Sequence, residues 1–511
     1  MAMTAESTMP SPGDAAAATS VVDVPVETPA AAMSIKTETE GVSDERTVQH
    51  RRSLRESLPL IKMAPYLMFE AVMHAAHLRN AAHGWDLRTH MLISMVRKFM
   101  NHDGKTIEDL QERTKKGLHF HLDKVEARPF VVPAPVQEAS VFLKHKIKSA
   151  IDKLTNESGL VEATIPDPTV VEVIAEWVIK QGSDHSKEFV PADNDVVVIY
   201  AHGGAHYLGS AAAHRFLTGQ FAETTQVSIL SLDYRLAPQN PLPAALTDFL
   251  VSYLYVLETL NVKPSRVVFA GDSSGGCLVL SALAVILHGT DVAARLPIPA
   301  GAVVISPWVD MTRCMPSENS KIIERFDYIP PADFYPKLKA SKAWPAENGR
   351  YWYYAENNAI LHPLVSPITS PSWKGSCPLA IILSEERLRD SGLLFSKFYR
   401  ESGNPTYVYY HERLPHVFHL LGKGHPSVSK SYSEINSFIN DCIARNAAAA
   451  DSEKPKELSC KSTVIDIHGN EWPFPENKMP NYTYSELRKR MDARMTELSY
   501  LLQYLVAERQ R

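Results

Sequence analysis

Residues 269–280 read FAGDSSGGCLVL: an apolar strand pattern, a serine among small neighbours, then an apolar helix pattern. A Gly-x-Ser-x-Gly run between strand and helix holds its serine on a strained turn, and the glycines let adjoining segments pass close. Ser273 is therefore a candidate nucleophile. Small residues also fill ordinary strand-to-helix turns, so the serine needs partners. Attack by a serine on a carbonyl leaves a negative oxygen, which N–H donors fixed in advance stabilise by several kcal/mol. A second stretch, HGGAHYLG over 202–209, follows the strand-like run DVVVIYA and leaves main chain bare of side chains. The N–H groups of Gly203 and Gly204, with that of Ser274 behind the nucleophile, are the candidate oxyanion donors. His202 and Asp272 flank them as support for the two motifs.

These residues need a scaffold. Between 190 and 420 the runs DVVVIYA, QVSILSLDY, SRVVFAG, GAVVISPW, CPLAIIL and TYVYYHE alternate with helical patterns. Strands continuous in Val and Ile and separated by helices predict a mostly parallel, doubly wound α/β sheet covered on both faces. Residues 312–362, dense in aromatics, interrupt the rhythm after GAVVISPW. Long insertions at the carboxyl end of such a sheet cover sites, so Trp344, Tyr351 and Trp352 are expected to roof one.

Residues 1–55, rich in Ala, Thr, Ser, Pro and Glu, predict a disordered tail. Helical patterns over 56–160 precede the catalytic domain, expected over 161–445; a linker and a last helix fill 446–511. That helix carries Leu487, Met491, Leu498 and Leu501 at near-heptad spacing, and packing back onto the domain is preferred to dimerisation. The run MAPYLMFEAVMHAA (63–76) is too short to span a membrane and holds Glu70, so a buried or cap helix is preferred to one lying on a membrane surface.

With 511 residues, 45% of them hydrophobic, the chain can build a sizeable core. Its 53 basic and 58 acidic residues give a net charge of −5, which argues against a nucleic-acid partner. The five cysteines lack metal-ligand spacing and fit a reducing compartment. No secretory leader is legible at the N-terminus, so a cytoplasmic protein is expected, with the surface of the endoplasmic reticulum or of lipid droplets left open. No metal or other cofactor is expected.

Together HGGAHYLGS, DYRLAPQNPLPAALTD, GDSSGG, SPWVD and LPHVF resemble the hormone-sensitive-lipase-like esterases of the α/β-hydrolase superfamily, over roughly 165–440. The stretches LPLIKMAPY and GWDLRTHML are most similar to fungal members, some of which deacetylate sterols or secondary metabolites. The resemblance implies an α/β-hydrolase fold with a helical cap, and a serine carboxylesterase acting on a small apolar ester. It puts the catalytic histidine at His416 in YYHERLPHVFHLL; a loop after a strand suits the role better than His411, within the strand pattern, or His419, a turn into the next helix. It puts the acid at Glu386 in LAIILSEERLRDSG, with Glu385 one residue away as the alternative and Asp390 at the family's second acid. Ala205 stands where the family has a third glycine and is expected to narrow the pocket. Asp233, Tyr234, Arg235 and Pro238 are expected to be scaffolding, and Asp310 a turn or strand cap. Plant gibberellin receptors resemble the same family but lack the histidine. A ligand-binding receptor, or an interaction protein, on the same fold with a weak or vestigial site is therefore the alternative, and the interaction protein predicts no hydrolysis of any simple ester.

Overall fold

The computed structural model describes residues 65–75, 84–100, 102–116, 124–182, 189–334, 338–346, 349–451 and 458–509. The tail expected over 1–55 lies outside them. Ten strands form one sheet: β1 (Val125–Val132), β2 (Val173–Lys180), β3 (Val197–Ala201), β4 (Ser228–Asp233), β5 (Val267–Asp272), β6 (Gly301–Ile305), β7 (Leu379–Ser384), β8 (Thr406–His411), β9 (Lys461–Ile465) and β10 (Glu471–Pro473). Their order is β1-β2-β4-β3-β5-β6-β7-β8-β9-β10. From β4 to β9 neighbours run parallel, and antiparallel pairs close both ends.

Each central strand is buried on both faces because its side chains alternate between two cores. Val197, Ile199 and Ala201 of β3 join one, Val198 and Tyr200 the other. The helices are α1 (65–75), α2 (Leu87–Phe99), α3 (Ile107–Lys115), α4 (Gln137–Glu157), α5 (Ala211–Thr225), α6 (Ala244–Glu258), α7 (Ser274–His288), α8 (Arg389–Glu401), α9 (Pro426–Asp451) and α10 (Tyr484–Arg509). Those of α4, α6, α7 and α8 pack on the first face; α2, α5 and α9 pack on the second.

Two expected boundaries need correction. The region 56–160 is not wholly helical, since it contributes β1 to the sheet. The stretch 446–511 is more than linker and helix, since β9 and β10 extend the sheet beyond β8. The last helix packs back: Leu487, Met491 and Leu498 are buried, and Arg494 reaches Asp333 at 2.6 Å in the 312–362 insertion. Helix α1 buries Glu70 against His90 and turns Met68, Phe69 and Val72 outward.

Candidate active site

β5 ends at Asp272 and α7 begins at Ser274, leaving Ser273 alone on the turn between them with φ 52° and ψ −119°. A non-glycine residue in that region stores about 1–3 kcal/mol of strain, which the surroundings must hold. They do so through the main chain: the Ser273 N–H donates to Ile305 O (2.8 Å), and the Trp308 N–H donates to Ser273 O (3.0 Å). The turn is tight enough that a Cβ on Gly275 would lie 2.0 Å from Ala201 O. Ser274, first residue of α7, has an N–H with no acceptor inside its own helix.

The loop from His202 to Gly209 joins β3 to α5. One expectation fails here. The Gly203 N–H is already donated to Asp272 Oδ1 (3.0 Å), which also accepts the Tyr200 hydroxyl (2.6 Å). Asp272 thus fixes the loop to the nucleophile strand and withdraws Gly203 from the donors. Gly204 (φ 120°), Ala205 (φ 53°) and His206 (φ 64°) then curl the chain in the left-handed region. Among the described residues the N–H groups of Gly204, Ala205 and Ser274 donate to no acceptor. His202 is scaffolding: its ring stacks on Tyr234 (4.3 Å between centroids), and burial pushes its pKa down to about 3. The Tyr234 hydroxyl donates to His202 O (2.6 Å), and Arg235 is paired with Asp248 (2.7 Å).

Glu386 follows β7 and is fully buried; His416 follows β8. Glu386 Oε2 makes a hydrogen-bond contact with His416 Nδ1, while Oε1 accepts the Ser384 N–H (3.1 Å). Glu385 turns away to Arg389 (2.9 Å) and the Tyr410 hydroxyl (2.9 Å). Asp390 sits in the first turn of α8, where it accepts the Ser317 N–H (3.0 Å). His411 and His419 lie in the core with Ser427 (2.6 Å) and Ser431 (2.9 Å) as their partners, away from any carboxylate of the site. Burial alone would lower the His416 pKa, but the carboxylates of Glu386, Asp327 and Asp272 more than offset it and raise the value. The Val417 N–H donates to Ser306 Oγ (3.1 Å), and Ser306 follows the residue that accepts the Ser273 N–H. The serine and histidine loops therefore meet at the end of β6. Ser273 Oγ itself has no hydrogen-bond partner among the described residues.

The aromatic cover differs in detail from the expected roof. Tyr353 packs on Tyr207 (4.6 Å) and Tyr354 stacks on His206 (3.6 Å, 8° between planes), so these two residues touch the glycine loop. Trp344 packs behind Tyr353 at 4.6 Å. Tyr328 presents its ring to His416 at 5.8 Å. Asp310 binds the Thr312 and Cys314 N–H groups as a turn cap. Among the described residues no group of three or more His, Cys, Asp or Glu is arranged to hold a metal ion. Nor, among them, is any helix long and apolar enough to cross a membrane.

A serine on a strained turn, free N–H groups beside it and a histidine on a buried carboxylate at one end of a parallel sheet define a recognisable class. A family profile described as alpha/beta hydrolase fold matches residues 198–420. An acetyl-hydrolase of Streptomyces hygroscopicus is 31% identical over 259 residues, covering 50% of this chain and 75% of that protein. Lipase 2 of Moraxella sp. (strain TA144) is 27% identical over 292 residues, 51% of this chain and 63% of its own length. A crystal structure of an esterase/lipase from an uncultured bacterium aligns with TM-score 0.50 at 23% identity, over 70% of this chain and all (100%) of that one, a likeness of fold. The chain belongs to the α/β-hydrolase fold family.

Proposed function

We propose that Ser273, Glu386 and His416 are the nucleophile, orienting acid and general base with which this carboxylic ester hydrolase cleaves a small apolar ester through an acyl-enzyme. The observation that carries the reading is the contact between His416 and Glu386, set at the same sheet end as a strained, partly exposed serine. His416 Nε2 takes the Ser273 proton as Oγ attacks the carbonyl carbon, and Glu386 holds Nδ1–H so that Nε2 stays the acceptor. The N–H groups of Gly204, Ala205 and Ser274 receive the developing oxyanion. The alcohol leaves with the proton from His416, and water, activated by the same ring, releases the acid. The Ser273–His416 hydrogen bond forms as substrate binds, since such contacts tighten in the Michaelis complex. A fluorophosphonate probe is expected to label Ser273 and to leave the Ser273→Ala protein unlabelled; equal labelling of both would sink the assignment.

A preference for short or medium acyl groups is supported by the Ala205 methyl at the oxyanion loop, by the packing of Tyr353 and Tyr354 against that loop, and by a relative named an acetyl-hydrolase. Butyrate esters of p-nitrophenol are expected to turn over faster than palmitate esters, both measured below aggregation. The likeness of the stretches LPLIKMAPY and GWDLRTHML to fungal members supports an acetylated apolar metabolite as substrate. The helices α1 to α3 that precede β1 and residues 312–362 act together as a cap. Five free cysteines support an intracellular setting. The outward Met68, Phe69 and Val72 of α1 support contact with a lipid surface.

A further inference from the structure

The 312–362 insertion does more than cover the site. Its residue Asp327 is buried, and its carboxylate is spent on the main chain of two loops distant in sequence. Oδ1 accepts the N–H of His416 at 3.2 Å, and Oδ2 accepts the N–H of Arg387, the residue after Glu386, at 2.7 Å. Oδ1 also accepts the N–H groups of Tyr328 (2.8 Å) and Ile329 (3.3 Å), which fixes the carboxylate to its own turn. One side chain therefore bridges the base loop and the acid loop. We propose that Asp327 is a positioning residue that sets the separation and alignment of His416 and Glu386 by clamping the backbone on which each stands.

Asp327 is itself held from outside the sheet. Arg97 of α2 donates to the carbonyls of Asp327 (3.0 Å), Glu324 (3.0 Å) and Arg325 (2.9 Å). The Arg387 guanidinium returns the connection by donating to Ile329 O (2.8 Å) and Glu318 O (2.6 Å). The chain of contacts runs from an N-terminal helix, through the insertion, to the two loops that hold base and acid. The rings and charges facing His416 are Glu386 from the acid loop, Asp327 and Tyr328 from the insertion, and Asp272 from the end of β5. Removing the Asp327 charge takes away one of the three carboxylates that favour imidazolium. It must therefore move the base to a lower pKa as well as loosen it.

The inference rests on the reading of His416 as base, so the test carries both. Asp327→Asn keeps size and one acceptor oxygen but turns an NH2 group toward the N–H of either the His416 or the Arg387 loop; Asp327→Ala removes both acceptor oxygens. On p-nitrophenyl butyrate, kcat is expected to fall roughly 10- to 100-fold in Asp327→Ala and less in Asp327→Asn, with KM little changed, as befits misplaced groups. The acid limb of kcat/KM against pH is expected to move to lower pH in both. Asp327→Glu, which restores the charge, is expected to return that limb toward wild type. A folded Asp327→Asn protein with wild-type kcat and an unmoved limb overturns the clamp, and so does a rate loss with the limb unmoved, which would mark a merely structural role. Should Asp327→Ala not fold, the Asn and Glu variants decide alone. His416→Ala in the same panel separates the two ideas: if it retains turnover, the triad reading falls and the clamp with it; if it is inactive while Asp327→Asn is wild type, only the clamp falls.

Discussion

Two adjacent carboxylates, Glu385 and Glu386, leave β7 in opposite directions, and that divergence decides which can serve. Glu386 meets His416, whereas Glu385 is engaged by Arg389 and the Tyr410 hydroxyl. Glu386→Gln is expected to lower kcat by orders of magnitude with the fold retained, as loss of the orienting carboxylate does in serine hydrolases. Glu385→Gln is expected to stay near wild type; the reverse outcome in steady-state kinetics would transfer the role. The raised His416 pKa gives a second expectation. In the proposed mechanism His416 must be neutral to accept the serine proton, so kcat/KM is expected to fall on acidification through a value above the ordinary histidine pKa of about 6.5. In any Glu386→Gln protein with residual activity this limb is expected at lower pH, because the strongest raising charge is gone. The serine motif was legible because a strained turn demands small neighbours within five residues. The distribution of oxyanion donors was not legible, because the competitor for the Gly203 N–H is the Asp272 carboxylate, which the fold brings across from another strand.

At the scale of elements, β3 to β8 announce themselves as largely apolar runs because both faces are buried, whereas the outer strands are interrupted by charge. β2 carries Glu176, buried only because Arg215 of α5 reaches it at 2.7 Å, and β1 carries Pro129 and the paired Glu126 and Arg128. A local pattern cannot reveal a charge neutralised from another element. Asp327 escaped notice for the same reason, since its hydrogen-bond partners lie on two other loops. The crossing of β3 under α7 supplies the element-scale prediction. A methyl on Gly275 meets the Ala201 carbonyl at 2.0 Å, and backbone cannot yield as a side chain tip can. Gly275→Ala is expected to destabilise the fold by about 3 kcal/mol and to abolish turnover. Gly424→Ala, with nothing within 4 Å, is the control expected to melt as wild type.

For the whole molecule, α10 is the fastening that comes last in the chain. It buries Leu487, Met491 and Leu498, donates the Tyr484 hydroxyl to Thr369 O (2.7 Å), and ties Arg494 to Asp333 of the insertion. Three such side chains contribute at most about 9 kcal/mol from area burial, less the share already buried in the unfolded chain. A chain truncated before Tyr484 is expected to melt several degrees lower by differential scanning fluorimetry; an unchanged melting temperature would show that the helix is only an appendage. The sheet that α10 helps to fasten has two margins, and neither invites a stranger. β1 sets Pro129 and the Glu126–Arg128 pair along one of them. The other margin is the three-residue β10, exposed throughout and closed by Pro473. A proline offers no amide hydrogen, and charged side chains on β1 and the shortness of β10 resist templating by a neighbouring chain. Both rims of the described sheet thereby carry features that disfavour continuous β-ladder growth from copy to copy.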